Sequence, residues 1–98
     1  MKKIFELISM SGKTVLITGA AGHLGTAIVH SLSEVGANLI LVDLNEDQLG
    51  NLKENLKSKF DNLIFTYVCD LSIESSRLEM IEKVKVEVGN LDCLINNA

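Results

Sequence analysis

From Lys13 onward, apolar residues switch repeatedly between strand-like and helix-like spacing. Thr14-Val15-Leu16-Ile17-Thr18 is a short β-branched and aliphatic run stopped by glycine. An unbroken apolar run of that length predicts a strand buried on both faces. Leu24, Ala27, Ile28, Ser31, Leu32 and Val35 then recur at helical spacing, and Gly36 is the expected C-terminal cap. Ala37 to Asp43 predicts a second buried strand with an acid at its carboxyl end. Leu49, Leu52, Leu56 and Phe60 return every three or four residues and predict a second helix from about Glu46 to Lys59. Leu63 to Asp70 is the third predicted strand. Ser72 is the expected N-cap of a third helix carrying Leu78, Ile81, Val84 and Val88 on one face. Gly89 closes that helix, and Leu91 to Asn96 reads as the fourth strand.

The order β-α-β-α-β-α-β with short connections requires a mostly parallel sheet, because each helix is the crossover returning the chain to the same edge. Residues 12–98 are therefore read as one α/β domain, preceded by an extension over residues 1–11. A parallel strand at the end expects a further crossover helix to cover it, so the sequence reads as the front of a longer domain, truncated after the fourth strand. Leu94 and Ile95 point to opposite faces of that strand, so at least one of them is expected to be exposed.

Composition removes several classes of function. Apolar residues make up 47% of the chain, which excludes a disordered segment. A net charge of -4 without a basic cluster argues against nucleic acid as a partner. No apolar stretch approaches the roughly 20 residues of a membrane span. Met1 to Ile8 resembles a signal peptide faintly, but Glu6 interrupts its apolar run and no small-residue cleavage site follows. Cys69 and Cys93 match no metal-ligand spacing, and both are expected to be buried, reduced thiols in a cytoplasmic protein.

The chemistry lies in two places. Thr18-Gly19-Ala20-Ala21-Gly22-His23-Leu24-Gly25 joins the first strand to the first helix, the context in which a glycine-rich loop binds a pyrophosphate. Glycine permits the turn and a close approach of the backbone, and the free N–H groups of the helix start hold the negative charge. Asp43 ends the second strand, eighteen residues beyond Gly25, where a dinucleotide fold puts an acid to accept from the adenosine ribose hydroxyls. A carboxylate there repels the additional phosphate of NADP. No Arg or Lys occurs in the loop or among Leu44, Asn45, Glu46 and Asp47 to bind that phosphate. NAD is the expected cofactor, with NADP second.

These motifs, followed by Cys69-Asp70-Leu71 and Leu94-Ile95-Asn96-Asn97-Ala98, resemble the short-chain dehydrogenase/reductase family from Gly12 onward. The resemblance implies a Rossmann-like doubly wound sheet in the strand order 3-2-1-4. It implies that Gly19, Gly22, His23, Leu24 and Gly25 form the pyrophosphate loop and that Asp43 holds the ribose. Asp70 and Leu71 would line the adenine, with the Asp70 carboxylate taking the exocyclic amine. Asn96 and Ala98 would lie on the nicotinamide side, and Asn97 would tie the fourth strand to its neighbours. The glycine spacing is TGxxGxxG, as in the larger sugar-nucleotide branch, whereas the Asn-Asn-Ala ending resembles the smaller single-domain branch, which usually has TGxxxGxG. The ending, together with Ala20-Ala21 and the Asp-Leu pair, favours the smaller branch.

The family's reaction uses a Tyr-x-x-x-Lys pair with a Ser upstream. The single tyrosine here is Tyr67, and the residue four positions on is Leu71, so Tyr67 is read as a packing residue and the chemistry is expected beyond Ala98. No metal site is expected. The intact protein would pass hydride between NAD and a hydroxyl or carbonyl carbon of a small substrate, as a homo-oligomer. A sugar-nucleotide epimerase or dehydratase and a non-catalytic nucleotide-binding module are the alternatives. Residues 1–98 alone are expected to associate and to show no NAD-linked turnover. His30 is read as surface on the polar side of its helix, and Glu79 with Lys83 as an i,i+4 pair worth a few tenths of a kcal/mol. Cys69 and Cys93 should stay unpaired, because the order 3-2-1-4 separates their strands by roughly 14 Å, beyond the reach of a disulfide.

Overall fold

Alternation of Val15, Leu16 and Ile17 in β1 (Thr14–Thr18) sends successive side chains to opposite faces of the sheet. Both faces are covered, so all three are buried. The computed structural model describes residues 9–98. After β1 come α1 (His23–Glu34), β2 (Asn38–Asp43), α2 (Glu46–Lys59), β3 (Ile64–Val68), α3 (Glu74–Glu87) and β4 (Cys93–Asn96). The four strands form one parallel sheet in the order β3-β2-β1-β4, as the resemblance implied.

Val15 is in register with Leu39, and Leu16 with Ile40. Val15, Ile17, Leu39 and Leu41 form one core with Val29 of α1 and Leu49, Leu52 and Leu56 of α2. Leu16, Ile40 and Val42 form the second with Tyr67, Cys69, and Met80 and Val84 of α3. Thus α1 and α2 share one face and α3 lies on the other, the two-sided cover that a parallel sheet requires. Helix α2 is closed by its own sequence: Asn45 accepts from the Gln48 N–H at 3.0 Å, Glu46 and Asp47 sit in the first turn, and Lys57 and Lys59 in the last. Glu79 and Lys83 pair at 3.7 Å on the exposed side of α3.

Several local expectations need correction. On α1 the line facing the sheet is Gly25, Val29 and Ser33, whereas Leu24 is 65% exposed and Ala27 and Ser31 are also exposed. The helix is rotated toward its smallest residues, because Gly25 lets its backbone rest on the loop below. On α3 the buried residues are Met80 and Val84, with Val88 packed beside them, and Leu78 and Ile81 face outward. Ser72 does not cap α3. Its hydroxyl donates to Asp70 instead, and the N-cap is Ile73, which has no side-chain bond. His30 is half-buried, with Nδ1 2.9 Å from the Thr26 carbonyl and Nε2 3.1 Å from Asn55 Oδ1.

Both cysteines are free, but only Cys69 is buried; Cys93 is exposed. β4 is an edge strand that pairs with β1 alone, and α1 and α2 lie over β1, β2 and β3. For the same reason Leu94 is 61% exposed, while Ile95 packs partly against the first core. The signal-like segment Met1–Ile8, and most of the 1–11 extension, lie outside the described residues. Met10 already joins the domain: its N–H donates to the Val35 carbonyl at 2.8 Å and its side chain packs on the first core. Among the described residues no helix is long and apolar enough to cross a membrane, and no group of side chains could hold a metal ion.

Tyr67 packs, as its place in a strand suggested. It is buried, and its hydroxyl donates to Glu87 Oε1 at 3.0 Å. Burial first, and then the bond and charge of Glu87, push its pKa from 10.0 up to about 12. The neutral form is favoured in the folded state, so this contribution to stability is complete below pH 10 and is lost as the pH rises through about 12. A near-ultraviolet absorbance titration should show the phenol ionising near 12 in the folded protein and near 10 in denaturant. A midpoint of 10 in both states would mean that the phenol is neither buried nor bonded to Glu87.

Candidate functional site

A parallel sheet brings the carboxyl ends of its strands to one edge, where the loops of neighbouring strands diverge and leave a crevice. Here that edge carries Thr18, Asp43, Val68 and Asn96, with the β1–α1 loop between them. Glycine is needed in this loop at two positions for different reasons. Gly19 has φ 65, and a Cβ there would lie 3.1 Å from the Ala98 Cα and 3.2 Å from Asn97 Nδ2. Gly25 has an ordinary helical backbone, but a Cβ would run into the Gly19 carbonyl and come within 3.0 Å of the Ala20 Cα. The first turn of α1 therefore sits directly on the loop.

The start of α1 is chemically bare. Gly22 occupies the N-cap without a side chain to offer, and no acid stands in the first turn, unlike in α2. The N–H groups of His23, Leu24 and Gly25 have no partner among the described residues. They leave the positive end of the helix dipole open toward an anion. The side chains of His23 and Leu24 are exposed and contribute no bond there.

Asp43 joins the end of β2 to this loop. One oxygen, Oδ2, accepts from the Ala21 N–H at 2.9 Å, and Oδ1 accepts from Leu44 N–H at 2.7 Å and Asn45 N–H at 3.3 Å. A carboxylate has about four lone-pair directions, so one remains for an outside donor such as a hydroxyl.

Beyond β3, Asp70 Oδ1 accepts from the Ser72 N–H at 3.0 Å and from the Ser72 hydroxyl at 2.6 Å. These bonds, the hydroxyl first, hold the Asp70 carboxyl below the usual carboxylate range. It is ionised at neutral pH and can only accept. Its Oδ2 has no partner among the described residues.

On the far side, Thr18 organises the end of β4. Its hydroxyl donates to Asn96 Oδ1 at 3.1 Å and accepts from the backbone N–H groups of Asn97 at 3.0 Å and Ala98 at 3.3 Å. Asn97 Nδ2 donates to the Gly19 carbonyl at 3.2 Å, the tie expected of it.

A crevice of about 200 Å³ is lined by Gly19, Asp43, Leu44, Cys69, Asp70, Leu71, Ser72 and Ala98. Five of the residues singled out in the sequence meet in it: Gly19, Asp43, Asp70, Leu71 and Ala98. Gly22 and His23 line a shallow groove on the other side of the loop with Ala21, Thr26 and Gln48. Gly25 lies beneath the loop, Leu24 projects outward, and Asn96 turns toward Thr18 rather than into the crevice. Sequence reasoning gave no role to Thr18, although a polar residue closing an otherwise apolar buried strand is the signal that could have found it. A wider groove of about 680 Å³ runs beside β3 between Lys53 and Glu87, but it gathers no loop N–H and no strand-end acid.

The residues fit a nicotinamide dinucleotide on their own chemistry. Open helix N–H groups suit a pyrophosphate, the spare lone pair of Asp43 suits a ribose hydroxyl, and the acceptor-only Asp70 suits an amine on a base.

Comparison with known proteins gives the same frame. A family model for short chain dehydrogenase matches residues 13–98. The chain is 41% identical over 91 residues to short-chain dehydrogenase/reductase family 16C member 6 of Bos taurus, covering 91% of this chain and 28% of that protein. It is 37% identical over 86 residues to diacetyl reductase [(S)-acetoin forming] of Staphylococcus epidermidis, covering 88% of this chain and 33% of that one. Among solved structures, NAD+-bound xylitol dehydrogenase superposes with a TM-score of 0.84 at 33% identity, over 90% of this chain and 34% of its own. L-sorbose reductase from Gluconobacter frateurii, complexed with NADPH and L-sorbose, superposes with a TM-score of 0.88 at 31% identity, over 93% and 35%. The chain thus spans about a third of the length of these relatives.

Proposed function

The chain belongs to the short-chain dehydrogenase family, and from that premise we propose that it is the dinucleotide-binding part of an NAD-linked oxidoreductase acting on a hydroxyl or carbonyl carbon of a small substrate. The observation that carries this reading is the crevice in which Gly19, Asp43, Asp70, Leu71 and Ala98 converge beside the uncapped start of α1. One neighbour in the family is bound to NAD+ and another to NADPH, so the family does not decide between the two. Asp43 supports NAD: in this reading its carboxylate meets the adenosine ribose, and no cation stands beside it in the loop or among Leu44 to Asp47 to hold a further phosphate.

In this reading the backbone N–H groups of His23, Leu24 and Gly25 hold the pyrophosphate, with Gly19 and Gly22 letting it approach. Asp43 accepts from the ribose, Asp70 and Leu71 meet the adenine, and Asn96 and Ala98 flank the nicotinamide side. When bound, the cofactor supplies or receives the hydride. The part described here binds and orients it. Tyr67 takes no part, since its hydroxyl is committed to Glu87 and it lines the groove beside β3 rather than the crevice. The TGxxGxxG spacing of the loop favours, as a second reading, the sugar-nucleotide epimerase and dehydratase branch. Turnover assays of the full protein on simple alcohols against sugar nucleotides separate the two.

Asp43→Ala should weaken NADH binding about 10-fold, the worth of a charge-assisted hydrogen bond, and should narrow the gap to NADPH. Titration of cofactor fluorescence with wild type and variant measures both effects. A wild type that prefers NADPH would remove the role assigned to Asp43.

A further inference from the structure

Arg77 is the only arginine in the sequence. No carboxylate pairs with it among the described residues, where the ion pairs are Lys83–Glu79 and Lys85–Glu82. Its half-buried guanidinium donates instead through Nη1 to the Leu71 carbonyl at 2.6 Å. One residue earlier, the Ser76 hydroxyl oxygen accepts from the Asp70 N–H at 3.0 Å and lies 3.5 Å from Cys69 Sγ, to which it donates. The first turn of α3 therefore reaches back over the segment entering it and grips Cys69, Asp70 and Leu71. All three line the crevice.

Neither tie is needed to start the helix. The Ile73 N–H donates to the Asp70 carbonyl at 3.1 Å, and the Arg77 N–H donates to the Ile73 carbonyl at 3.1 Å, so the backbone already closes this turn. What the two side chains add is a fixed wall beneath the Asp70 carboxylate, whose Oδ1 is committed to Ser72 and whose Oδ2 is open. A charged donor on a carbonyl is a stronger tie than a neutral one, and a planar guanidinium fixes direction as well as distance.

We propose that Arg77 is a positioning residue for base recognition: by holding the Leu71 carbonyl it fixes the Cys69–Ser72 wall so that the open oxygen of Asp70 meets an amino group on the cofactor's base. The inference rests on the dinucleotide reading above. Its test compares NAD with deamino-NAD, in which the base carries an oxygen in place of the amine.

In calorimetric titrations of the full protein, wild type should prefer NAD about 10-fold. Arg77→Met should reduce that preference about five-fold while leaving the affinity for nicotinamide mononucleotide, which lacks the base, unchanged. Arg77→Lys keeps a donor and should recover part of the preference. A loss of stability alone would not change the ratio of two ligands measured on the same folded protein. An Arg77→Met variant with the wild-type ratio overturns the proposal. Should that variant fail to fold, Ser76→Ala releases the same wall from its other tie and must narrow the ratio, and an unchanged ratio there overturns it equally. A wild type that binds NAD and deamino-NAD alike removes the amine contact and this inference, but leaves the dinucleotide reading intact. A wild type that binds neither removes both.

Discussion

Gly25→Ala should destabilise the protein by about 3 kcal/mol, the upper end of what overpacking a well-filled interior costs. The sign is the diagnostic part. Replacing glycine by alanine inside a helix ordinarily adds up to about 1 kcal/mol of stability by restricting the unfolded chain. At Gly25 the added methyl would meet the Gly19 carbonyl and the Ala20 backbone, neither of which can turn aside as a side chain can. Helix α1 would have to lift from the loop, and the open N–H groups at its start would lift with it, so cofactor binding should fall together with stability. Gly50 is the internal control. It lies within α2, where an added Cβ would meet nothing inside 4 Å. Gly50→Ala should therefore stabilise. Denaturant titration of both variants checks the pair, and a stabilised Gly25→Ala would mean that α1 does not rest on the loop.

Thr18→Val should cost about 2–3 kcal/mol despite its near-identical shape, because valine can neither donate nor accept. The Thr18 hydroxyl is buried and serves three partners: Asn96 Oδ1 and the N–H groups of Asn97 and Ala98. Removing it leaves two backbone donors and one amide oxygen without their acceptor and donor at the end of β4. Thr18→Ser keeps the oxygen and should lose less than half as much. The same denaturant measurement applies, and a valine variant as stable as wild type beside a destabilised serine variant would show that the methyl, not the hydroxyl, is what matters. The cofactor should lose affinity in the valine variant, since Ala98 lines the crevice and takes its position from this hydroxyl.

The sheet was legible because its signals are redundant. Apolar runs such as Val15–Ile17 and Leu39–Val42 are long enough to mark strands, and the glycines Gly36 and Gly89, with φ of 97 and 91, mark where helices end. Four strands alternating with three helices leave little choice of topology. Helix faces were less legible. Counting apolar side chains put Leu24 toward the sheet, but the contact is made by Gly25 and Ser33, whose advantage is smallness, which no hydrophobic period records. On α3 the choice between Leu78–Ile81 and Met80–Val84 depended on how the helix is rolled, and several apolar positions were available for either answer.

Within the crevice, Asp43 and Gly19 were found by position relative to the strand ends. Thr18, Ser76 and Arg77 were not, because they act through backbone groups of neighbours that only the folded chain brings near. Cys93 was misread for a related reason: an apolar strand reads as buried, and which strand forms the edge of the sheet is a property of the assembled order.

Binding of NAD at the strand-end crevice is read directly by amide NMR of the 15N-labelled protein titrated with NAD. The resonances of Gly19, Gly22, His23, Leu24, Leu44, Leu71 and Ala98 should move together, and NADP at equal concentration should move them less. Shifts confined to Lys53, Thr66, Tyr67 and Glu87, which line the wider groove beside β3, or no shifts at all, would contradict it.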